Sequence, residues 1–430
     1  MSSAVLTRVD AWSTWTMLYL SAVGDIVDVF IARQPIFDRQ QQVYGYELLF
    51  RSGWDNVFRH HDLNQASAQV IANSLLVMGL DTMTSGRMSF VNCTRDALVK
   101  QYASVLPSRT TVVEVLEHVD ADDEVVAACK SLKAAGYTLA LDDFVFRDSV
   151  EPLLALADII KVDVLNSSVD EQRELFDRCG GRIPMLAEKV ETREEFDRGL
   201  AMGYRYFQGY FFSKPVVLNG RHIPTNKLSV LELLGEINRS DLDYTKLERI
   251  LQREVSLSYK LLRYINSAAF AFRSQIGSLK QAMVLLGERE VKKFASLIAL
   301  ADMGHDKPGE LLVTAVVRGR FGEVLAPKLA MGDRGPDLFL TGLFSVIDAL
   351  MDRALPDLLD SLPLEDEIKQ ALMGRNSRFQ FVHQLIMAYE RGDWKEVARL
   401  SQAAHLGDTD LQSCYLAAVD WAQQTVRQAL

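Results

Sequence analysis

Seven apolar, β-rich runs in this chain carry carboxylates, amides or a lysine toward their ends. Glu47 lies in VYGYELLF (43–50), Asn92 comes late in MSFVNC (88–93), and Glu114 and Glu117 late in TTVVEVLE (110–117). Asp142 and Asp143 follow in YTLALDDF (137–144), Lys161 and Asp163 in DIIKVDVL (158–165), Glu188 and Glu191 in IPMLAEKVE (183–191), and Gln208 in YRYFQGYFF (204–212). Charge this close to buried strands is costly unless it is paired or binds a metal. Taken singly, each acid could cap the following helix, because helix N-termini attract carboxylates. Asp120, Asp122 and Glu191, which opens ETREEF, suit that role. Recurrence over successive strand ends, with no histidine in the set, points elsewhere. Oxygen-rich sites favour hard cations, Mg²⁺ or Mn²⁺ rather than zinc. Two such ions can clamp a phosphodiester, generate hydroxide and stabilise the leaving oxygen. A lysine there could neutralise phosphate charge or hold the attacking water. The residues themselves read as a metal-assisted phosphodiester site.

The elements that must position them alternate in texture. An eighth run, VFIARQPIF (29–37), precedes the others, and helical spacing fills most of the gaps, as in 63–80, 122–136 and 193–203. Alternating strand and helix predicts a parallel sheet covered by helices, and eight strands in so short a span predict a compact barrel whose strand ends converge on one rim. Within YTLALDDF, strand alternation would send the two aspartates to opposite faces. The strand is therefore expected to end at the pair, leaving both acids at its mouth. After Pro215 comes a turn-rich joint, VLNGRHIPTN (217–226), and from Leu228 the periodicity is helical, with breaks at 304–309, 332–336 and 361–363. The expected class is α/β plus all-α: a tail over 1–28, a modified TIM-type (β/α) barrel over 29–220, and a helical domain over 221–430.

With a formal charge of −10, the chain is poorly suited to non-specific binding of nucleic acid or anionic membranes. Its four cysteines lack CxxC spacing and fit reduced thiols in a cytoplasmic protein. The apolar stretch 11–24 is preceded by Asp10 and interrupted by serine and threonine, which makes it a weak secretion signal and too short a span. No membrane span is expected.

YELLFR (46–51), FVNC, EVLE (114–117), LDDF, IKVD (160–163), AEKVET (187–192) and QGYFFSKP (208–215) resemble, in order, the motif series of EAL domains. That family has a modified TIM barrel and hydrolyses cyclic di-GMP to the linear dinucleotide pGpG. The resemblance covers about residues 29–215. It implies Glu47, Asn92, Glu114, Asp142 and Asp143 as ligands of Mg²⁺ or Mn²⁺, with Lys161 orienting the water. Glu188 and Gln208 would complete the metal and water environment. Glu191 would support the site, Glu117 would anchor the loop after the aspartates, and Arg51, with Leu49 of the signature tripeptide Glu47-Leu48-Leu49, would lie at the ligand. There are two departures: Val145 replaces the first glycine of the loop after the aspartates, and Lys189 stands where the family usually has glycine. They imply weakened catalysis with metal and nucleotide binding retained.

The segment 254–287 is similar to the core signature of HDOD domains, helical relatives of HD phosphohydrolases without the metal-binding residues. It implies a helical half that contacts a protein partner, and a homodimer is left open. His383 is read as a core or surface residue and His61-Asp62 as no metal site. Tyr259, Tyr264, Phe270 and Phe272 are read as core aromatics or a partner groove, and Asn266 as a backbone-bonding residue. Two functions follow: slow hydrolysis of cyclic di-GMP, or regulation by nucleotide or protein binding alone.

Overall fold

The computed structural model describes residues 29–52, 79–144, 150–179, 181–214, 225–239 and 285–429, with positions 262, 265, 266, 276 and 281 between the last two. Eight strands close a barrel in chain order: β1 (Val29–Asp38), β2 (Val43–Ser52), β3 (Met88–Cys93), β4 (Thr111–Val115), β5 (Thr138–Leu141), β6 (Ile159–Asp163), β7 (Met185–Glu188) and β8 (Tyr206–Gln208). From β2 to β8 neighbours are parallel, whereas β1 is antiparallel to both β2 and β8. This inversion has a local cause. Asp38 Oδ1 accepts from the Gln40 and Gln42 N–H groups, each at 2.9 Å, closing a tight turn that returns β2 beside β1.

Around the barrel lie α1 (Leu80–Thr84), α2 (Arg95–Val99), α3 (Asp123–Ala134), α4 (Glu151–Leu154), α5 (Val169–Cys179) and α6 (Arg193–Met202). Their starts follow the sequence. Asp122 accepts from the Val125 N–H at 2.9 Å to cap α3, and Thr192 with Glu195 forms a capping box on α6. All eight β-rich runs become strands, generally shorter than their apolar texture. β5 stops at Leu141, so Asp142 and Asp143 lie in the following turn and strand alternation no longer governs them.

Ile36, Phe90, Val112, Ala140, Ile159, Leu186 and Tyr206 fill the lower barrel as one apolar layer. Two residues further along a strand, a side chain points the same way. From five of those apolar residues this rule leads to Asn92, Glu114, Lys161, Glu188 and Gln208, and Asp142 joins them from the turn after β5. The barrel floor is thus dry, and the layer above it is polar.

The described residues from 225 onward are mainly helical: α7 (Thr225–Ile237), α8 (Glu288–Met303), α9 (Gly309–Leu325), α10 (Gly335–Phe344), α11 (Ile347–Met351), α12 (Leu355–Ser361), α13 (Asp366–Leu372), α14 (Arg378–Glu390), α15 (Trp394–Ala403) and α16 (Asp408–Ala429). Asn266 bonds backbone as expected: its amide donates to Leu262 O and Ile276 O, both at 2.8 Å, and accepts from the Ile276 N–H at 2.6 Å. The four cysteines are buried and unpaired. Among the described residues, no helix is long and apolar enough to cross a membrane. The tail, His61-Asp62, Val145, Tyr259, Tyr264, Phe270, Phe272 and the joint up to residue 224 lie outside the described residues.

α14 and α16 pack on β1. Phe30 meets the rings of Tyr389 and Trp394, and the Tyr389 hydroxyl donates to Ile31 O at 3.2 Å. A buried polar cluster also spans this seam. Arg33 lies 4.4 Å from the Tyr46 ring centroid and donates to Met83 O at 2.6 Å. The Tyr46 hydroxyl donates to Glu310 Oε2 at 2.8 Å. Arg318 grips both oxygens of Glu390, at 2.7 and 2.8 Å, and donates to Ser345 Oγ at 3.1 Å.

Candidate active site

Lys161 is the hub of the polar layer. Its ammonium is fully buried and lies 2.7 Å from Asp142, 2.8 Å from Glu114, 3.0 Å from Glu188 and 3.5 Å from Glu47. Gln208 Nε2 donates to Glu47 Oε2 at 2.7 Å and to Gln34 Oε1 at 3.1 Å, while Asn92 Nδ2 donates to Glu47 Oε1 at 3.0 Å. Residues from β1, β2, β3, β4, β6, β7 and β8, with the turn after β5, therefore meet at one point.

Four carboxylates around one ammonium cannot all be balanced, and burial and mutual repulsion act on them unequally. Burial pushes Glu114 well above the usual carboxylate range, against the pull of Lys161. Burial likewise raises Asp142, and pushes Glu188 up to about 8. Burial also works to raise Glu47, but Lys161 and the amides of Gln208 and Asn92 hold it below its ordinary value. For Lys161 burial favours the neutral amine, yet the surrounding carboxylates hold it well above the usual lysine value. The lysine stays charged, which suits it to hold water or phosphate and not to accept a proton.

The donor set is all oxygen apart from this lysine. Asn92 Oδ1, Glu114 Oε2, Asp143 Oδ1 and Gln208 Oε1 are buried without hydrogen-bond partners. Such oxygens suit a hard divalent cation. The present arrangement is closed on the ammonium instead. Among the described residues, no three His, Cys, Asp or Glu side chains are set to hold a metal ion. A cation would have to draw the carboxylates away from Lys161.

Above the cluster opens a cavity of about 440 Å³ whose walls include Glu47, Leu49, Asp142, Asp143, Glu188, Glu191 and Gln208. Asp143 adopts φ +40 and lies 3.8 Å from Lys189. Lys189 itself adopts φ +56, left-handed backbone that glycine takes more readily, and pairs with Asp163. Asp163 is turned to its own loop, accepting from the Leu165 and Asn166 N–H groups at 2.9 and 3.0 Å. Gly209 at φ +145 permits the close approach of β8 to Val190, whose carbonyl oxygen would lie 2.1 Å from a Cβ there.

Two expected site residues stand apart from the cluster. Glu117 is exposed, 3.7 Å from His118 Nδ1, and the loop it was expected to anchor lies outside the described residues. Glu191 is exposed at the cavity wall and bonds Lys214 at 3.0 Å. Each comes three positions after an inward residue, past the end of its strand, so it leaves the lumen. Arg51 is placed by its backbone opposite Phe30, and its side chain lies outside the described residues. Sequence reasoning missed Gln34, Leu165, Tyr210 and Arg391, which also line the cavity. Only Gln34 had a signal, because the β1–β2 hairpin sets it opposite Glu47.

Two family models match the chain, EAL domain over 55–215 and HDOD domain over 223–395. The first match begins after β1 and β2, so Glu47 precedes it. The uncharacterised protein YuxH of Bacillus subtilis is 34% identical over 91% of this chain and 98% of its own. The cyclic di-GMP phosphodiesterase CdgJ of Vibrio cholerae is 32% identical over 93% of each. Among solved structures, a standalone EAL protein from Vibrio cholerae in its c-di-GMP bound form is 24% identical, covering 44% of this chain and 93% of that one, with a TM-score of 0.33. Matched in order by both models, and by relatives along nearly their whole length, the chain belongs to the family of EAL–HDOD proteins.

Proposed function

We propose that the barrel mouth binds cyclic di-GMP and hydrolyses it slowly to pGpG, and that the helical half makes protein contacts in cyclic di-GMP signalling in the cytoplasm. The observation that carries this reading is the meeting of Glu47, Glu114, Asp142 and Glu188 on Lys161 beneath an open cavity, with buried oxygens left unsatisfied. The full-length relative CdgJ, a cyclic di-GMP phosphodiesterase by name, supports the choice of substrate.

Glu47, Asn92, Glu114, Asp142 and Asp143 would hold Mg²⁺ or Mn²⁺, which supplies an activated water and charge neutralisation at the phosphodiester. The rest falls to the chain. Lys161, kept charged, donates to the water or to a phosphate oxygen. Gln208 and Asn92 fix the two oxygens of Glu47, and Glu188 steadies the ammonium from β7. Leu49 supplies apolar wall for a base.

Purified protein incubated with Mn²⁺ and cyclic di-GMP tests the reading by chromatography of the products. Formation of pGpG that disappears in Glu47→Ala is expected. Binding without product would leave the alternative, a regulator without turnover.

A further inference from the structure

The cavity over the carboxylates is not built by the barrel alone. Arg391, in the turn between α14 and α15, forms part of its wall. Its position is fixed at the backbone, where its carbonyl accepts from Gln34 Nε2 at 3.3 Å. Gln34 in turn accepts from Gln208, which also donates to Glu47. A chain of amides thus links the floor of the site to the helical domain. The next residue, Gly392 at φ +68, presses on the barrel so closely that a Cβ there would lie 2.8 Å from Leu49 Cδ1.

The side chain is placed for an anion. The Arg391 guanidinium lies 5.5 Å from the Tyr210 ring centroid, and among the described residues no carboxylate is in ion-pair contact with it. Lys189, the other cation on the wall, is tied to Asp163 and Asp143. Glu47, Asp142, Asp143, Glu188 and Glu191 make the rest of the wall acidic, so a negatively charged ligand needs a cation at the rim as well as any at the floor. A planar guanidinium resting on an aromatic face suits a phosphate oxygen pair better than an ammonium does. Leu165, 60% exposed on the same wall, offers apolar surface to a base.

We infer that Arg391 binds a phosphate of the cyclic dinucleotide at the barrel mouth, so that the helical domain completes the nucleotide site. This rests on the function proposed above. Ligand affinity then depends on how firmly the α14–α15 turn is seated on the barrel.

The test titrates cyclic di-GMP into the full chain with Mn²⁺, following binding by calorimetry and products by chromatography. The variants are Arg391→Ala, Arg391→Lys and Lys395→Ala, the last removing an exposed charge four residues away. Arg391→Ala is expected to weaken binding by about 10- to 100-fold, the range for losing a hydrogen bond to a charged group. Its binding should also fall less steeply with added salt, a change that loosened packing would not produce. Arg391→Lys should recover part of the affinity, and Lys395→Ala should bind as the wild type does. Equal affinity of wild type and Arg391→Ala overturns this inference and leaves the proposed function standing. A wild type that neither binds nor hydrolyses the nucleotide overturns both.

Discussion

Two clusters of buried charge sit on opposite faces of the β1–β2 hairpin, and they are built on different terms. At the seam between barrel and helices, two arginines face two glutamates: Arg318 holds Glu390 with both nitrogens, and Arg33 lies over Tyr46, whose hydroxyl serves Glu310. At the barrel mouth one lysine faces four carboxylates, and several buried oxygens have no partner. At the seam the charges match in number. The mouth carries an excess of negative charge that only an added cation or protons can offset. Balanced pairs suit a structural contact, whereas unbalanced buried charge clusters at functional sites. The adjacent residues Tyr46 and Glu47 belong one to each, because alternation along β2 sends them to opposite faces.

The contrast can be broken most directly at its two cations. Arg318→Met leaves the part-buried Glu390 unpaired and should cost up to about 3–5 kcal/mol in urea unfolding. Millimolar Mn²⁺ should leave that deficit unchanged. Lys161→Met removes the ammonium that competes with a metal, so Mn²⁺ should raise its thermal midpoint more than it raises that of the wild type. Equal shifts in all three proteins would end the distinction.

His383, on α14 behind the seam, gives the next largest effect. Burial, with Arg318 and Arg391 nearby, lowers its pKa to about 4, and its Nε2 is buried without a partner. The unfolded chain, with an ordinary histidine value, binds the proton more readily, so stability is lost as pH falls from about 6.5 toward 4, by about 3 kcal/mol in all. His383→Leu should flatten that part of the pH–stability curve. An unchanged slope would show that histidine plays no part in the seam's acid sensitivity.

Tyr46→Phe tests the smaller half of the seam. It deprives Glu310 of its hydroxyl donor and should cost about 1–3 kcal/mol, read as a lower urea midpoint at constant slope. A neutral result would mean that Arg33 alone suffices for Glu310.

What could be read in advance follows the same division. The strands, the Asp122 cap of α3 and the inward acids were legible because period-two alternation and capping residues act over a few positions, whereas α6 is capped by Thr192 and not by Glu191, which suited the role. The end of β5 before Asp142 followed from one alternation argument. The hub role of Lys161 was not legible, since motif order sets it beside the ligands without any distances. The seam was invisible for a plainer reason: Ile31 and Tyr389, or Tyr46 and Glu310, are hundreds of positions apart and follow no periodic pattern. Arg391 shares that limit, because only the docking of α14 on β1 brings it to the mouth. Glu117 and Glu191 lie past their strand ends and are exposed, Glu191 on the wall of the cavity itself.

β1 is covered on one side by its own barrel and on the other by α14 and α16. A protease cutting the joint between the halves would therefore not release two independent domains. The barrel would surrender the cover of Phe30 and the partner of Tyr46, and the helices would keep Glu310 without its donor. The protein should melt as one cooperative unit, and an input that loosens the helical half would be felt by the barrel as lost stability.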